Sequence, residues 1–185
     1  MTDPVESPDL DTEQARLNKW LQAGVDRQFR QQFRAGTRLL QQGKAKDAVP
    51  LLKRAHALQP DNADAALNLG GAYLMAGRHR EAVPVLERAV EQTPDNARLW
   101  ISLGAAYLGN PLLADGGQQL KAIAAFQRAL QIDPFAPSAA YNIGLIHVDR
   151  SEREQAVAAF KRAVKSDAGD RDARRMLLRL EDEKA

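Results

Sequence analysis

Apolar residues along this chain recur at spacings of three and four, in paired bursts separated by a glycine. One clear instance runs from Leu67 to Leu74, passes Gly77, and resumes from Val83 to Val90. Such spacing places the apolar side chains on one face of an α-helix, so each pair of bursts predicts two amphipathic helices. Gly77 suits the tight turn between them because it has no Cβ atom.

The pattern repeats with a fixed period along most of the chain. Pro60 and Pro94 lie 94 − 60 = 34 residues apart, whereas Pro94 and Pro134 lie 134 − 94 = 40 apart, which is one period plus six. We count each unit from the third residue after such a proline, so that one unit begins at residue 63 and the next at residue 97. Small residues then recur at three places of every unit. They are Gly36, Gly70, Gly104 and Gly144 at the eighth place, Ala48, Ala82, Ala122 and Ala156 at the twentieth, and Ala55, Ala89, Ala129 and Ala163 at the twenty-seventh. Agreement among four units predicts stacked helix pairs, with small residues where the helices approach closely.

The run Trp100-Ile101-Ser102-Leu103-Gly104-Ala105-Ala106-Tyr107 resembles the signature of the tetratricopeptide repeat. The resemblance covers residues 29–170 and implies an all-α, right-handed superhelical solenoid of antiparallel helix pairs, of the small bacterial type built from such units alone. It divides the chain into an acidic tail expected to be disordered (1–9), an N-terminal capping helix (10–28), four units (29–62, 63–96, 97–136 and 137–170) and a C-terminal capping helix (171–185). The six-residue insertion is expected to lengthen the inter-helix turn at residues 109–117.

Both ends of the array carry helices with one apolar stripe, as a solenoid needs to cover its terminal faces. Leu17, Trp20 and Leu21 form the stripe before the first unit, and we expect Gly24 to separate this helix from the next. Asp170 is the expected N-cap of the last helix. In the fourth unit His147 replaces an aromatic residue, and we expect it to pack in the core.

The composition excludes several kinds of chemistry. The chain has no cysteine, which excludes disulfides and zinc–thiolate sites. No apolar run approaches the roughly 20 residues that span a bilayer, and residues 1–13 hold acids but no base, unlike a secretory signal. The basic C-terminal region alternates with aspartates and lacks aromatics that stack on bases, which favours a solvated cap over nucleic-acid binding. We therefore expect a cytoplasmic protein that is no enzyme and that uses neither cofactor nor metal.

In the resembling family, the first helices of successive units line a concave groove. Carried over place by place, the resemblance implies a groove formed by Arg30, Phe33, Arg34, Leu67, Asn68, Gly71, Met75, Arg98, Ile101, Ser102, Ala105, Tyr141, Asn142 and Leu145. Asn68, Ser102 and Asn142 share one place, and asparagine there holds a peptide backbone in related grooves; the alternative is that these side chains are merely polar. The apolar residues at the preceding place form either a floor for apolar anchors or a layer buried by the adjacent helix.

Arg27, Arg30, Arg34 and Arg38 form a basic stripe on one helix face, which indicates either an acidic ligand or a solvated surface. One candidate ligand is the chain's own acidic segment, residues 3–13, which would then gate the groove. Asn68 and Arg98 fit the carboxylate clamp known from chaperone-binding relatives, but the remaining positions do not, which is evidence against chaperone tails.

The leading hypothesis is a scaffold or adaptor that binds a peptide or helix of another protein, acidic or with apolar anchors. We expect it to be a monomer or weak homodimer that binds neither nucleic acid nor membrane. The alternative is a self-assembling protein in which the groove or the Trp20 helix packs on a second copy. Leu112 and Leu113 in the insertion either form a second contact site or pack against the third unit.

Overall fold

The computed structural model describes residues 10–109 and 115–182, and every regular element within these ranges is an α-helix. In chain order the helices are α1 (Leu10–Gln41), α2 (Ala45–Leu58), α3 (Ala63–Met75), α4 (His79–Gln92), α5 (Ala97–Leu108), α6 (Gly116–Ile132), α7 (Pro137–Asp149), α8 (Arg153–Ser166) and α9 (Arg171–Asp182). The fold is the all-α superhelical solenoid that the repeat predicts. The acidic tail at 1–9, the Leu112–Leu113 pair and residues 183–185 lie outside the described residues.

The helices form four antiparallel pairs, and each pair packs on the next. The pairs are α1 with α2, α3 with α4, α5 with α6, and α7 with α8, while α9 packs on α8. The first helices α1, α3 and α5 also contact one another in succession, so they line one face of the stack. At the centre of the pairs, Leu52, Leu86, Phe126 and Phe160 occupy equivalent places and are all 0% exposed. A single type of contact therefore repeats through the core.

Short polar motifs end one unit and begin the next. The Asn62 side chain accepts a hydrogen bond from the Ala65 amide at 3.0 Å, which caps the N-terminus of α3. Asn96 does the same for α5, where it accepts from the amide of Leu99 at 3.4 Å. The Trp100 indole donates to the Pro94 carbonyl at 2.8 Å. The two asparagine caps satisfy helix-end amides that would otherwise lack partners.

The predicted break at Gly24 is wrong. A single helix of 32 residues, Leu10–Gln41, runs through it, so the N-terminal cap and the first helix of the first unit are one element. A Cβ at Gly24 would meet no atom within 4 Å, so nothing packs there to turn the chain. A mid-helix glycine costs only about 1 kcal/mol relative to alanine, which is too little to end a helix by itself.

The insertion lengthens a helix as well as a turn. Helix α6 has 17 residues, against 14 in α2, α4 and α8, and it begins at Gly116, inside the segment expected to be turn. Asp115 starts it with a capping box, in which the Asp115 carboxylate accepts from the Gln118 amide at 2.8 Å. This reciprocal cap stabilises an early helix start despite two glycines in the first turn.

The C-terminal helix caps the stack as predicted. Asp170 accepts from the amides of Asp172 and Ala173 at 3.0 and 2.9 Å, which makes it the N-cap of α9. Ala173 and Leu180 are buried against the preceding unit, whereas Leu178, on the opposite side of α9, is 55% exposed. Helix α9 thus presents one apolar face to α8 and a largely charged face outward.

Candidate binding groove

A depression of about 290 Å³ lies between the first helices of the first three units. Six of the predicted groove residues line it together with one that the sequence did not indicate; the seven are Leu40, Leu67, Asn68, Gly71, Arg98, Ile101 and Ser102. The unpredicted residue is Leu40, whose Cδ2 atom would lie 4.0 Å from a Cβ on Gly71. This is ordinary van der Waals distance, so Leu40 of α1 lies beside Gly71 of α3 without crowding it.

The apolar floor of the groove divides into a buried and an accessible part. Leu67 is 8% exposed and belongs to the core, so here the adjacent helices do bury the residue. Ile101 and Phe33 are half-buried and present apolar surface. The Phe33 ring stacks on the Phe29 ring with centroids 5.4 Å apart, and this contact orients the Phe33 side chain.

The asparagines of the groove already bond within the molecule. Asn68 donates through Nδ2 to the Thr37 hydroxyl at 2.9 Å, which links α3 to α1. Asn142 donates through Nδ2 to the Ser138 carbonyl in its own helix at 2.7 Å. Each amide thereby commits one of its two N–H donors to the protein. Ser102, at the equivalent place, is half-buried on the rim.

Exposed arginines lie on α1 and at the start of α5, and Arg98 among them lines the depression. Arg30, Arg34 and Arg98 are all exposed, and none of them forms an ion pair with another residue of the described parts. Arg27 and Arg38 complete the exposed stripe on α1. Unpaired arginines create a positive local potential that attracts acidic ligands.

The other eight predicted residues lie outside the depression, among them Arg30, Phe33 and Arg34 of α1. Tyr141, Asn142 and Leu145 are half-buried on α7, Ala105 is half-buried on α5, and Met75 is 60% exposed at the end of α3. Tyr141 packs its ring edge-on against Phe160, with centroids 5.7 Å apart. Burial raises the pKa of the Tyr141 hydroxyl, and the nearby carboxylates of Asp172 and Asp170 add to that effect.

His147 belongs to a polar network that the sequence did not reveal. Its Nδ1 hydrogen-bonds Glu152 Oε2 at 2.6 Å, and Arg150 Nε donates to the other oxygen of the same carboxylate at 2.8 Å. Arg150 also donates through Nη1 to Gln119 of α6 at 3.3 Å, and Gln119 in turn donates to Asp149 at 2.5 Å. The carboxylate partner of His147 is thus five residues away, across the α7–α8 turn, and the expected core packing is only partial. Because α6 contributes Gln119, the network joins the third unit to the fourth.

A larger cavity of about 630 Å³ lies beside the turn between α3 and α4 and the start of α6. Cationic Arg78, Arg80 and Lys121 line it together with the carboxylates of Glu81 and Glu87, so its charge is mixed. It adjoins the two residues that flank segment 110–114, which lies outside the described ranges. We therefore assign it no ligand.

Within residues 10–109 and 115–182, no group of three or more His, Cys, Asp or Glu side chains is arranged to hold a metal ion. Over the same ranges, no helix combines the length and the apolar character needed to cross a membrane.

Comparison with known proteins agrees with the geometry. One sequence model of the tetratricopeptide repeat matches residues 39–108, and a second matches residues 111–171 and 141–183. No curated protein sequence matches this chain. Among solved structures, the chain is similar to a crystal structure of MamA, with 27% identity, a TM-score of 0.67, and coverage of 76% of this chain and 78% of that one. MamA residues 41 to the end, from Desulfovibrio magneticus RS-1, are 26% identical with a TM-score of 0.65, and 76% of each chain is covered.

A third structure shares the fold at lower identity. It is TTC0263, a thermophilic tetratricopeptide repeat protein of Thermus thermophilus, with 22% identity, a TM-score of 0.69, and coverage of 85% of this chain and 83% of that one. Sequence models, repeat spacing and helix packing therefore agree on one assignment. The chain belongs to the tetratricopeptide repeat family.

Proposed function

We propose that this protein binds a peptide or helix of another protein in the groove lined by α1, α3, α5 and α7, and that it does so in the cytoplasm. As a repeat solenoid it is a protein-interaction scaffold in general terms. The observation that supports the groove as the site is the depression beside Arg98, where an apolar floor and polar rim residues from three units converge. An apolar floor takes side-chain anchors, while rim groups set orientation.

The charge of the groove indicates the type of partner. Arg30, Arg34 and Arg98 are exposed and lack carboxylate partners among the described residues, so an acidic partner is attracted where a basic one is repelled. Half-buried Ile101 and Phe33 favour apolar anchors beside those acids. The protein acts in this proposal as an adaptor, without catalysing a reaction and without binding nucleic acid or membrane.

Affinity capture from the native lysate tests this proposal. The groove variant carries Asn68→Ala, Asn142→Ala and Arg98→Glu, and the matched control is Arg54→Glu, an exposed arginine on the second helix of the first unit. We expect wild type and the Arg54 control to retain the same partner and the groove variant to lose it. Equal capture by all three proteins would place the binding site elsewhere on the molecule.

Self-association is the second candidate, and one observation favours it. Leu17, Trp20 and Leu21 form a stripe on α1 and are 49%, 71% and 50% exposed. A stripe of this kind packs readily on an identical stripe of a second molecule. Light scattering over a concentration series distinguishes the candidates, because an adaptor for an external partner keeps the mass of a monomer.

A further inference from the structure

One side of α1 is exposed and uncharged along much of its length. The positions on this side alternate at spacings of four and three, and all of them are exposed; they are Leu17, Leu21, Gly24, Gln28, Gln31 and Ala35. Positions spaced in this way form a single strip, here about 27 Å long. A mean spacing of 3.5 residues is typical of the seam along which two helices pair. Because no helix of the described ranges covers the strip, α1 keeps an open pairing surface.

The strip faces away from the first unit and away from the groove. On the opposite side of α1, Phe29 is buried and packs with Ala55 of α2 and Ala65 of α3. Leu40, the α1 residue that lines the depression, lies about 140° around the helix axis from Ala35. A molecule bound along the strip therefore leaves the depression open.

The N-terminal part of the strip is apolar. Leu17 and Leu21 are 49% and 50% exposed, and Trp20 beside them is 71% exposed. An added Cβ at Gly24 would meet no atom within 4 Å, so a large side chain of another molecule has room to pack there. An amphipathic helix of about 15 residues is marginal by itself in water, and a second apolar helix that covers this stripe stabilises it.

The charges beside the strip have opposite signs on the two sides of Trp20. Glu13 lies seven residues before Trp20 and Arg27 seven residues after it, and all three side chains are exposed. Seven residues are nearly two helical turns, so the three side chains lie in one row along α1. Within the described residues, neither Glu13 nor Arg27 forms an ion pair.

This row is complementary to itself in one orientation. When two copies of α1 run antiparallel and meet at Trp20, Glu13 of each copy lies opposite Arg27 of the other. Parallel copies would instead place carboxylate against carboxylate and arginine against arginine, which is unfavourable. Arg16 lies three residues from Glu13 on the same helix, so in the antiparallel pair the carboxylate stands between two arginines, one from each copy.

We propose that two copies of this protein pair through antiparallel α1 helices, with Trp20 at the two-fold axis and Glu13 of each copy against Arg27 of the other. The same surface serves in both molecules, so the contact closes on itself and assembly stops at a dimer. The pairing rests on self-association, the second candidate function, and gives it a geometry in which the groove takes no part. Residues 10–30 of each helix overlap over about 30 Å, which is a small interface, so the dimer is weak and forms at high protein concentration.

Charge reversal in the full-length protein tests the pairing. Glu13→Arg and Arg27→Glu each put like charges at both contacts, so either variant alone should dimerise about tenfold or more weakly than wild type in sedimentation equilibrium. The double variant restores opposite charges and should dimerise like wild type, as should an equimolar mixture of the two single variants. All these positions are exposed, so the fold should tolerate the changes. The control Arg54→Glu, on α2, should leave the affinity unchanged.

Two further variants separate this contact from the groove. Trp20→Ala with Leu21→Ala should remain monomeric, because it removes the apolar centre of the interface. The groove variant with Asn68→Ala, Asn142→Ala and Arg98→Glu should dimerise like wild type, because none of its changes lies on the strip. Loss of the dimer in the groove variant would mean that the second copy occupies the groove, and the inference would be wrong.

Two other results would also overturn the inference. One is a wild type that stays monomeric up to about 1 mM, and the other is charge reversal without any effect on the affinity between copies. Neither result bears on the groove. Capture of another protein by wild type and Glu13→Arg alike, with loss in the groove variant, would still support the proposed function.

Discussion

Gly104 and Phe126 lie so close that a Cβ atom on Gly104 would stand 2.7 Å from Phe126 Cε1. The same relationship holds at the eighth place of every unit; at Gly70, for example, the Cβ would stand 2.6 Å from Leu86 Cδ2. The absent side chain allows α5 and α6 to approach closely enough to bury the ring of Phe126 completely. The glycine thus serves helix packing rather than backbone flexibility.

We predict that Gly104→Ala destabilises the protein. Alanine gains about 1 kcal/mol in helix propensity over glycine, but overpacking a full core typically costs about 1–3 kcal/mol, and Phe126 is 0% exposed and has little room to move. The net loss should be up to about 2 kcal/mol in the free energy of unfolding. Urea or thermal denaturation followed by circular dichroism measures it.

Gly24 provides the matched control. It lies in the exposed N-terminal part of α1, where an added Cβ would meet no atom within 4 Å, so Gly24→Ala should only gain helix propensity, up to about 1 kcal/mol. We expect the two alanine substitutions to change stability in opposite directions. If both substitutions stabilised the protein, Phe126 would be able to move away from an added Cβ at Gly104, and the close contact would not limit packing.

Loss of the Glu152 charge should destabilise the protein in a pH-dependent way. The hydrogen bond from His147, followed by that from Arg150, lowers the pKa of Glu152 below its ordinary value of 4.5. A carboxyl whose pKa is lowered on folding stabilises the folded state above its ordinary pKa, and this contribution disappears as the pH falls through the folded pKa. Glu152→Gln should therefore lower the melting temperature at neutral pH, and this difference should shrink as the pH falls below 4.5.

The comparison for this prediction is Glu154→Gln on the same helix. Glu154 is exposed and forms no ion pair with another residue in residues 10–109 or 115–182. Its substitution should have little effect on the melting temperature at any pH. A pH-independent loss in Glu152→Gln would mean that the carboxyl acts through its shape or neutral hydrogen bonds and not through its charge.

The Tyr107 hydroxyl should lose its proton only at an unusually high pH. Burial, together with the hydrogen bond that its hydroxyl donates to Glu87 at 2.6 Å, raises the pKa of Tyr107 to about 12. Comparing the ultraviolet titrations of wild type and Tyr107→Phe isolates this residue. In Glu87→Gln the pKa of Tyr107 should fall only part of the way toward 10.0, because burial remains the larger cause. A complete return would show that Glu87 alone is responsible.

Substitution of leucine by alanine should have different effects on the two faces of α9. Leu180 is 8% exposed, whereas Leu178 is 55% exposed. Leu180→Ala removes buried methyl groups and should cost about 2–3 kcal/mol of local stability, while Leu178→Ala should cost less than about 0.5 kcal/mol. Hydrogen exchange of the α9 amides measures both. Equal effects would mean that α9 does not pack on α8 through Leu180.

Much of the local structure could be predicted from residue type and spacing. The period of 34 residues, the glycine at the eighth place and the alanines opposite it required paired helices in a stack, because only small residues permit such close contact. Asp170 was identifiable as a cap because its carboxylate sits just before an apolar-periodic run. Each of these features depends either on residues within a few helical turns of one another or on residues that recur at a fixed distance along the chain.

One contact between units has a counterpart in the repeat itself. Arg54, Arg88, Arg128 and Arg162 occupy the same place in all four units. Arg88 pairs with Asp61 at 3.0 Å and Arg128 with Asp95 at 3.8 Å, each reaching back to the end of the preceding unit. The recurrence could have revealed these pairs, since an arginine repeated at one exposed place indicates a repeated partner.

The sequence by itself determined the repeat and the helix pairs, because those depend on periodicity. The groove positions follow from the resemblance to the repeat family and stay a prediction. Only the tertiary structure decided that Leu40 completes the depression, that Thr37 takes a donor from Asn68, and that α1 continues through Gly24. These outcomes depend on which side chains from different helices arrive at the same point, and on whether any neighbour packs at Gly24. Such distances are fixed by the packing of whole elements, which no local pattern encodes.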